Sequence, residues 1–247
     1  IPLILLPPSE GKSSGGEACV LDITSLSFSS LNKTRKLMIK DLVNASSEPE
    51  YALRLLGLKG KSLETAKLDN ISLENELRIV LADFPCLDGL ICNAGFGKFD
   101  NLENVSSEQI ASYINLNLVS HMIITRIVIP YFKKNARGDI IFMGSESALE
   151  GKKMGSLYSA AKFGLRGFAQ SVREECRNSN VRVSIVNPGL VRTPFFDNLD
   201  FEPGSDSNNA IEPDDVAEVI KNIITARPGT VIDEVTMTPL KNSIKIK

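Results

Sequence analysis

Three observations predict an α/β fold built on a Rossmann-like, doubly wound parallel sheet. Short apolar runs, typical of buried strands, alternate with longer segments that have helical spacing. Asn93, Ser145 and Pro188 each follow the end of one of these runs. Because ligands of such sheets bind at the carboxyl ends of the strands, these positions predict one site at one edge of the sheet. Residues 1–69 depart from the alternation, so we expect a divergent N-terminal part.

The composition narrows the classes of protein and ligand. The chain has 247 residues, of which 43% are hydrophobic and 23% charged, as in soluble globular proteins. Its net charge of −2 argues against a nucleic-acid partner, and no apolar run approaches the roughly 18 residues of a membrane span. Four scattered cysteines and a single histidine lack the spacing of a metal site and fit a reducing compartment. We therefore expect a cytoplasmic protein with no nucleic-acid or membrane partner and no bound metal.

The start of the chain leaves three interpretations open. Pro2–Leu6 is apolar and predicts a short buried strand, which the proline pair Pro7-Pro8 ends. The polar stretch SEGKSSGGE follows. A Walker phosphate loop requires a glycine where Leu6 stands, and a Rossmann fingerprint requires three glycines between a strand and a helix. The third interpretation is a plain polar loop. Residues 32–67 then have helical patterns where a second strand with an acidic end is expected.

A helix, a strand and a turn are predicted next. Leucine spacing indicates a helix that follows Ser72, a candidate cap residue. Leu87–Cys92 is an apolar run and predicts a buried strand. It leads into the turn Asn93-Ala94-Gly95, whose small residues let a flat ligand approach the backbone closely.

A long helix is predicted over Ser106–Lys134, with basic residues near its end and a glycine after it. One amide, Asn117, lies among its apolar positions and is either a buried hydrogen-bonded residue or a functional one. His121 follows one turn later, and we expect it to be a packing residue.

The main candidate site lies around the next strand and helix. Asp139–Met143 predicts a buried strand, and Ser145 follows its end. Helical spacing then places Tyr158 and Lys162 one turn apart on one helix face. A serine hydroxyl can hydrogen-bond a carbonyl or alcohol oxygen, and we expect the Lys162 ammonium to lower the pKa of the phenol by favouring phenolate. Such a set suits proton transfer at a C–O group, the partner step of hydride transfer. A surface Tyr–Lys pair is the alternative.

The last third of the chain continues the alternation. Val181–Val186 predicts a strand that ends in Pro188 and Gly189, with Thr193 shortly beyond. The polar stretch Phe195–Ala210 is interpreted as a mobile substrate lid or as a disordered surface loop. An apolar pocket wall, or alternatively core packing, is indicated by Phe195, Phe196, Met154 and Leu157.

A final helix is predicted from Pro213, since proline is favoured at the first helical position. Val231–Met237 is the last predicted strand, and we expect a basic tail after it.

Together these motifs resemble the short-chain dehydrogenase/reductase family over about residues 70–240. The resemblance implies an NAD(P)-dependent oxidoreductase that interconverts a small carbonyl compound and its alcohol by hydride transfer. It implies catalytic roles for Ser145, Tyr158, Lys162 and Asn117, with Tyr158 as general acid and base. It also implies a dinucleotide, NADP slightly favoured over NAD, held by Asn93, Ala94, Gly95, Tyr158, Lys162, Pro188, Gly189 and Thr193. In this family the long helices usually pair across a subunit interface, so we expect a homodimer or homotetramer.

The first part of the chain departs from the family. Glu10 and Glu17 stand where its Thr-Gly-x3-Gly-x-Gly turn has a threonine and its last glycine. LLPPSEGKSSGG, LDITSLSF, RKLMIKDLV and ALRLLGLKGKS resemble instead the start of the bacterial peroxide-stress YaaA family. We therefore divide the chain into residues 1–69 and 70–247, within one globular unit. The alternative function is a reductase-like scaffold with impaired dinucleotide binding, acting as a binding or structural protein or being a non-functional fusion.

The departure also bears on the sheet. Leu3–Leu6 is a candidate for the family's first strand, which lies at the middle of the sheet. The two strands that usually follow have no counterpart, so we expect fewer strands than the family's seven. The edge beside the strand at residues 87–92 is then expected to be open, or covered by the helices of residues 32–67.

Overall fold

The computed structural model of the protein describes residues 3–6, 21–22, 70–83 and 87–247. The glycine-containing stretch around Gly11–Gly16 and the helices expected within residues 32–67 lie outside the described residues.

The described strands of the main sheet are β1 (Leu3–Leu6), β2 (Leu21–Asp22), β3 (Gly89–Cys92), β4 (Gly138–Met143), β5 (Val181–Pro188) and β7 (Glu234–Met237). They form a six-stranded sheet in the order β2-β1-β3-β4-β5-β7. Its parallel part joins β3 to β4, β4 to β5 and β5 to β7. Residues on both faces of β3 and β4 are buried, which is why these strands are almost continuously apolar.

The edge beside β3 differs from the expectation. Leu3–Leu6 does form a strand, but it runs antiparallel to β3, with Leu3 opposite Cys92 and Leu6 opposite Gly89. The prediction that this edge is open or covered by helices is therefore wrong. An antiparallel edge strand on a parallel sheet is a common arrangement, and β2 continues it on the outside.

Helices cover both faces of the sheet, as the doubly wound prediction requires. One face carries α1 (Asn70–Asp83), α3 (Ser120–Lys134) and α4 (Ser156–Cys176), which pack on Leu90, Cys92, Ile140 and Phe142. The other face carries α5 (Pro213–Thr225), whose apolar side packs on Ile91, Ile141, Met143 and Val186. Successive strand residues thus serve opposite cores, because side chains alternate across a strand.

Two predicted helices differ from the structure in their start or in their continuity. α1 begins at Asn70, so Ser72 lies inside the helix and is not its cap. The predicted helix Ser106–Lys134 is interrupted: α2 (Ser107–Ile114) leads into a π-helical segment (Asn115–Val119), and α3 follows. In length and composition this helix could cross a membrane, but half of its most apolar window is buried inside the protein, as in core helices of soluble proteins.

The last part of the chain forms an antiparallel ribbon that the sequence did not indicate. Strand β6 (Phe201–Pro203) pairs with β8 (Ile244–Ile246), and the Glu202 and Lys245 side chains form an ion pair across it at 3.2 Å. The stretch predicted as a lid or disordered loop therefore contains a strand. The expected basic tail contains a second strand, β8, and the last strand of the main sheet is shorter than Val231–Met237.

Candidate active site

The strand ends converge on one cleft. The carboxyl ends of β3, β4 and β5 lead into its walls, and α4 lies along its floor. The cleft brings together eight of the ten residues predicted for the site. The cleft is lined by Asn93, Gly95, Phe96, Asn117, Met143, Gly144, Tyr158, Lys162, Pro188, Gly189, Val191, Thr193, Phe195, Phe196 and Val216.

The two other predicted residues lie just behind this surface. Ser145 is buried and neighbours Gly144 in the wall. Ala94 contributes its backbone oxygen, which lies 2.7 Å from Nε2 of His121.

Ser145 is fixed by the turn that follows β4. Its backbone is extended, and its Oγ accepts a hydrogen bond from the Ser147 amide at 3.1 Å, which caps a short 3-10 helix at Glu146–Ala148. Glycine precedes it because the chain passes close to β5 here. A Cβ on Gly144 would collide with Oδ1 of Asn187. The serine hydroxyl is therefore held at the strand end, and it hydrogen-bonds the Tyr158 hydroxyl.

Lys162 lies one helical turn after Tyr158 on α4, as the spacing predicts. Its side chain is 6% exposed, and its Nζ donates to the backbone oxygen of Met143 at 2.8 Å. Burial lowers the pKa of the ammonium from 10.5 to about 8. Burial therefore destabilises the charged form of Lys162, although with this pKa the side chain is mostly protonated at neutral pH.

The pKa of Tyr158 differs from the expectation. Burial raises it, the hydrogen bond with Ser145 opposes the rise, and the charge of Glu146 adds to it. The Lys162 ammonium lies 5.7 Å from the centre of the phenol ring and is turned to Met143. The predicted lowering of the phenol pKa by Lys162 is therefore not seen in this structure, in which burial outweighs the opposing hydrogen bond with Ser145.

Asn117 lies in the π-helical segment and is completely buried. Its Oδ1 accepts a hydrogen bond from the Phe96 backbone amide at 3.0 Å, and its Nδ2 donates to the backbone oxygen of Tyr113 at 3.0 Å. The side chain thus ties the helix to the turn after β3. A Cβ on Gly95, whose φ is +159°, would lie 2.6 Å from Asn117 Oδ1, so this turn has room only for glycine.

His121 also holds this turn, through Ala94. Because a carbonyl accepts, Nε2 carries the proton, and Nδ1 has no partner among the described residues. Burial lowers the pKa of the imidazole to about 4, with the Lys162 charge as a second cause. A neutral histidine that supports the backbone fits the packing role expected from the sequence.

The family follows from a comparison of the whole chain with known proteins. A family model described as short chain dehydrogenase matches residues 60–203, more than half of the chain. The chain belongs to the short chain dehydrogenase family. The sepiapterin reductase of Chlorobaculum tepidum is 29% identical over 159 residues, which cover 64% of this chain and 64% of the relative. The NADP-dependent 3-hydroxy acid dehydrogenase of Schizosaccharomyces pombe is 28% identical over 238 residues, or 93% of this chain and 90% of the relative.

The fold agrees with solved members of the family. A metagenomic short-chain oxidoreductase in complex with NADP has a TM-score of 0.60 and 26% identity, with 81% of this chain and 90% of that one covered. Among the residues that the structure describes, no group of three or more His, Cys, Asp or Glu side chains could hold a metal ion.

Several aromatic residues of this short chain dehydrogenase site were missed from the sequence. Phe195 and Phe196 were expected in the pocket wall, and both line the cleft. Phe99 and Phe201 were not expected. The ring of Phe99 lies 5.3 Å from that of Tyr158 and 5.2 Å from that of Phe201, between centroids. For Phe99, the sequence signal was the phenylalanine pair in FGKF, directly after the turn at residues 93–95.

Met154 and Leu157, the other two expected wall residues, do not line the cleft. Met154 is 42% exposed, and Leu157 packs in a small core with Tyr113 and Ala161. Glu146 was also missed from the sequence, although it directly follows Ser145.

Proposed function

We propose that this protein interconverts a carbonyl compound and its alcohol by NAD(P)-dependent hydride transfer, with Tyr158 as general acid and base. One observation carries the proposal. A serine hydroxyl, a phenol and a buried ammonium meet at the cleft where the parallel strands end. This is the set of groups that proton transfer at a C–O bond requires.

The roles of the side chains follow from their contacts. In reduction, the Tyr158 hydroxyl donates its proton to the carbonyl oxygen of the substrate. Ser145, which already hydrogen-bonds the phenol, donates to the same oxygen and holds it against Tyr158. Tyrosinate then forms beside the Lys162 ammonium, so the ammonium stabilises the charge that develops in the reaction. Asn117 is assigned a supporting place in the proton relay, because it packs behind Gly95 at the base of the cleft.

The cofactor would supply or accept the hydride when bound. The Lys162 ammonium has three donors, and the described residues offer it one acceptor, Met143 O. A buried cation with unused donors at a cleft fits a ligand that brings hydroxyl acceptors, as a nucleotide ribose does. Asn93, Ala94 and Gly95 would lie on one side of such a ligand, and Pro188, Gly189 and Thr193 on the other. NADP is favoured over NAD because both the fission-yeast relative and the metagenomic structure are named with it.

The decisive experiment compares the wild type with Tyr158→Phe. The wild type should enhance the fluorescence of NADPH on binding and reduce a small ketone. The variant should keep the binding signal and lose about 10²–10⁴-fold in turnover, the usual contribution of a positioned acid. Tyr131→Phe, which removes a hydroxyl outside the cleft, is the matched control. Unchanged turnover in a folded Tyr158→Phe protein would contradict the proposal, and the absence of any nucleotide binding would favour the non-catalytic scaffold.

We further propose a cytoplasmic homodimer or homotetramer, with α3 and α4 at the interface. The large exposed side chain of Phe163, 44% accessible on α4, supports an interface on this helix. Sedimentation equilibrium of the wild type and of Phe163→Glu tests it, since a charge at the contact should shift the protein toward monomers. An unchanged mass for the variant would contradict this interface.

A further inference from the structure

The side chain of Glu146 lies at the rim of the cleft. It is the first residue of the 3-10 helix that Ser145 caps, and it is partly buried. Its Oε2 lies over Gly189, because a Cβ at Gly189 would be 2.9 Å from that oxygen. Gly189 itself lines the cleft. A carboxylate therefore stands between two of the strand ends that form the site.

The charge of this carboxylate acts on the reacting group. It is one of the causes that raise the pKa of Tyr158, so its field extends to the phenol. Glu146 forms no ion pair or side-chain hydrogen bond within the part of the chain that the structure describes. The charge of Glu146 also contributes to raising the pKa of Lys152, but the Lys152 ammonium is exposed and forms an ion pair with Glu150 at 2.5 Å.

No described cation balances Glu146 within the cleft. Lys162 is the sole arginine or lysine among the lining residues of the described structure, and its ammonium donates to Met143 O. Arg192, which follows β5 in the chain, forms an ion pair with Glu212 at 3.2 Å. It also donates to the backbone oxygens of Gly204 and Asp206. A substrate carboxylate beside Glu146 would therefore meet a like charge.

Aromatic rings add a second, independent observation. The Tyr158 ring lies 5.3 Å from the Phe99 ring and 6.1 Å from the Phe195 ring, between centroids. Phe195 in turn lies 5.2 Å from Phe196. Aromatic rings attract cations through the negative face of the π system, and clusters of them recognise quaternary ammonium groups.

We propose that Glu146 is a specificity-determining residue that selects carbonyl or alcohol substrates carrying a positive charge, best a quaternary ammonium, close to the reacting carbon. The same residue disfavours substrates that carry a carboxylate there, the class for which the fission-yeast 3-hydroxy acid dehydrogenase is named. The inference rests on the proposed function, because it concerns the same cleft and the same reaction.

Three methyl ketones of similar size test the inference with NADPH as reductant. They are trimethylammonioacetone, its neutral isostere neopentyl methyl ketone, and acetoacetate. In the wild type, kcat/KM should be highest for the cationic ketone and lowest for acetoacetate. In Glu146→Gln, the kcat/KM of the cationic ketone relative to the neutral ketone should fall about tenfold. The kcat/KM of acetoacetate relative to the neutral ketone should rise about tenfold. Changes of this size are expected for unit charges a few ångströms apart in a partly exposed cleft.

Comparing each ratio between the wild type and Glu146→Gln cancels the intrinsic reactivity of the ketones. Glu146→Asp keeps the charge and should keep the cationic preference, whereas Glu218→Gln removes an exposed charge on α5 and should change no ratio. Ratios that move less than twofold in Glu146→Gln would overturn the inference alone. A wild type that prefers acetoacetate would also overturn it, whether or not the variant folds. If the wild type reduces none of the three ketones, the proposed function fails and the inference fails with it.

Discussion

Replacing Lys162 by methionine should make the cofactor-free protein more stable while it removes activity. Lys162 is buried, and its pKa falls from 10.5 to about 8. A difference of that size corresponds to a penalty of roughly 3 kcal/mol at pH 7, since each pKa unit is about 1.4 kcal/mol. Methionine has a similar length and no charge. It loses the hydrogen bond to Met143 O and the contact with the Tyr158 ring, together about 1–2 kcal/mol. The net expectation is a gain of about 1–2 kcal/mol.

The pH dependence identifies the cause. The folded pKa of Lys162 is lower than the unfolded one, so the unfolded chain binds more protons between pH 8 and 10.5. Wild-type stability therefore rises with pH across that window, and the full penalty applies below it. At pH 10, the part of the variant's advantage that comes from the charge should shrink below about 1 kcal/mol.

Urea unfolding of both proteins at pH 7 and pH 10 measures these differences. Lys134→Met, at an exposed position on α3, is the control and should change stability by less than about 0.5 kcal/mol. A Lys162→Met protein that is less stable than the wild type at pH 7, or whose advantage is as large at pH 10, would refute the reasoning.

Three further outcomes are expected. Asn117→Ala should destabilise the protein by about 2–4 kcal/mol in urea unfolding, since it leaves the Phe96 amide and the Tyr113 oxygen without their buried partner. An unchanged midpoint would contradict this. Lys245→Pro removes a donor from β8, so the Glu202 amide, which lies opposite Lys245, should exchange hydrogen at least about tenfold faster, whereas Lys245→Arg should leave it protected. The altered glycine pattern of residues 11–17 predicts a cofactor dissociation constant nearer millimolar than micromolar, because each lost charge-assisted hydrogen bond costs about 1.5–3 kcal/mol. Micromolar affinity by calorimetry would show that this stretch binds phosphate well.

Much of the parallel core could be predicted because its signals are local. The apolar runs at residues 87–92, 139–143 and 181–186 are strands, and the spacing of Tyr158 and Lys162 places them on successive turns of one helix. The rule that strand ends meet at one edge then sufficed to bring these side chains to one cleft.

The features that were missed depend on contacts between distant residues. β8 consists of one lysine between two isoleucines, and it becomes a strand only by pairing with β6, about forty residues earlier. The direction of β1 is likewise decided by its partner β3 and not by its own sequence. The raised pKa of Tyr158 arises from burial that residues far along the chain provide, so the helical spacing alone gave the wrong sign.

The π-helical segment has a consequence for insertions and deletions. The Ser120 amide bonds to Asn115 O, five residues back, so this turn holds one residue more than an α-helical turn. Removing a single residue from 115–119 would restore an ordinary helix and remove the wide turn that carries Asn117. The turn after β3 would then lose the hydrogen bond between the Phe96 amide and Asn117 Oδ1 that holds it. A single-residue deletion in this segment would therefore change the shape of the cleft without altering the sequence of any strand in the sheet.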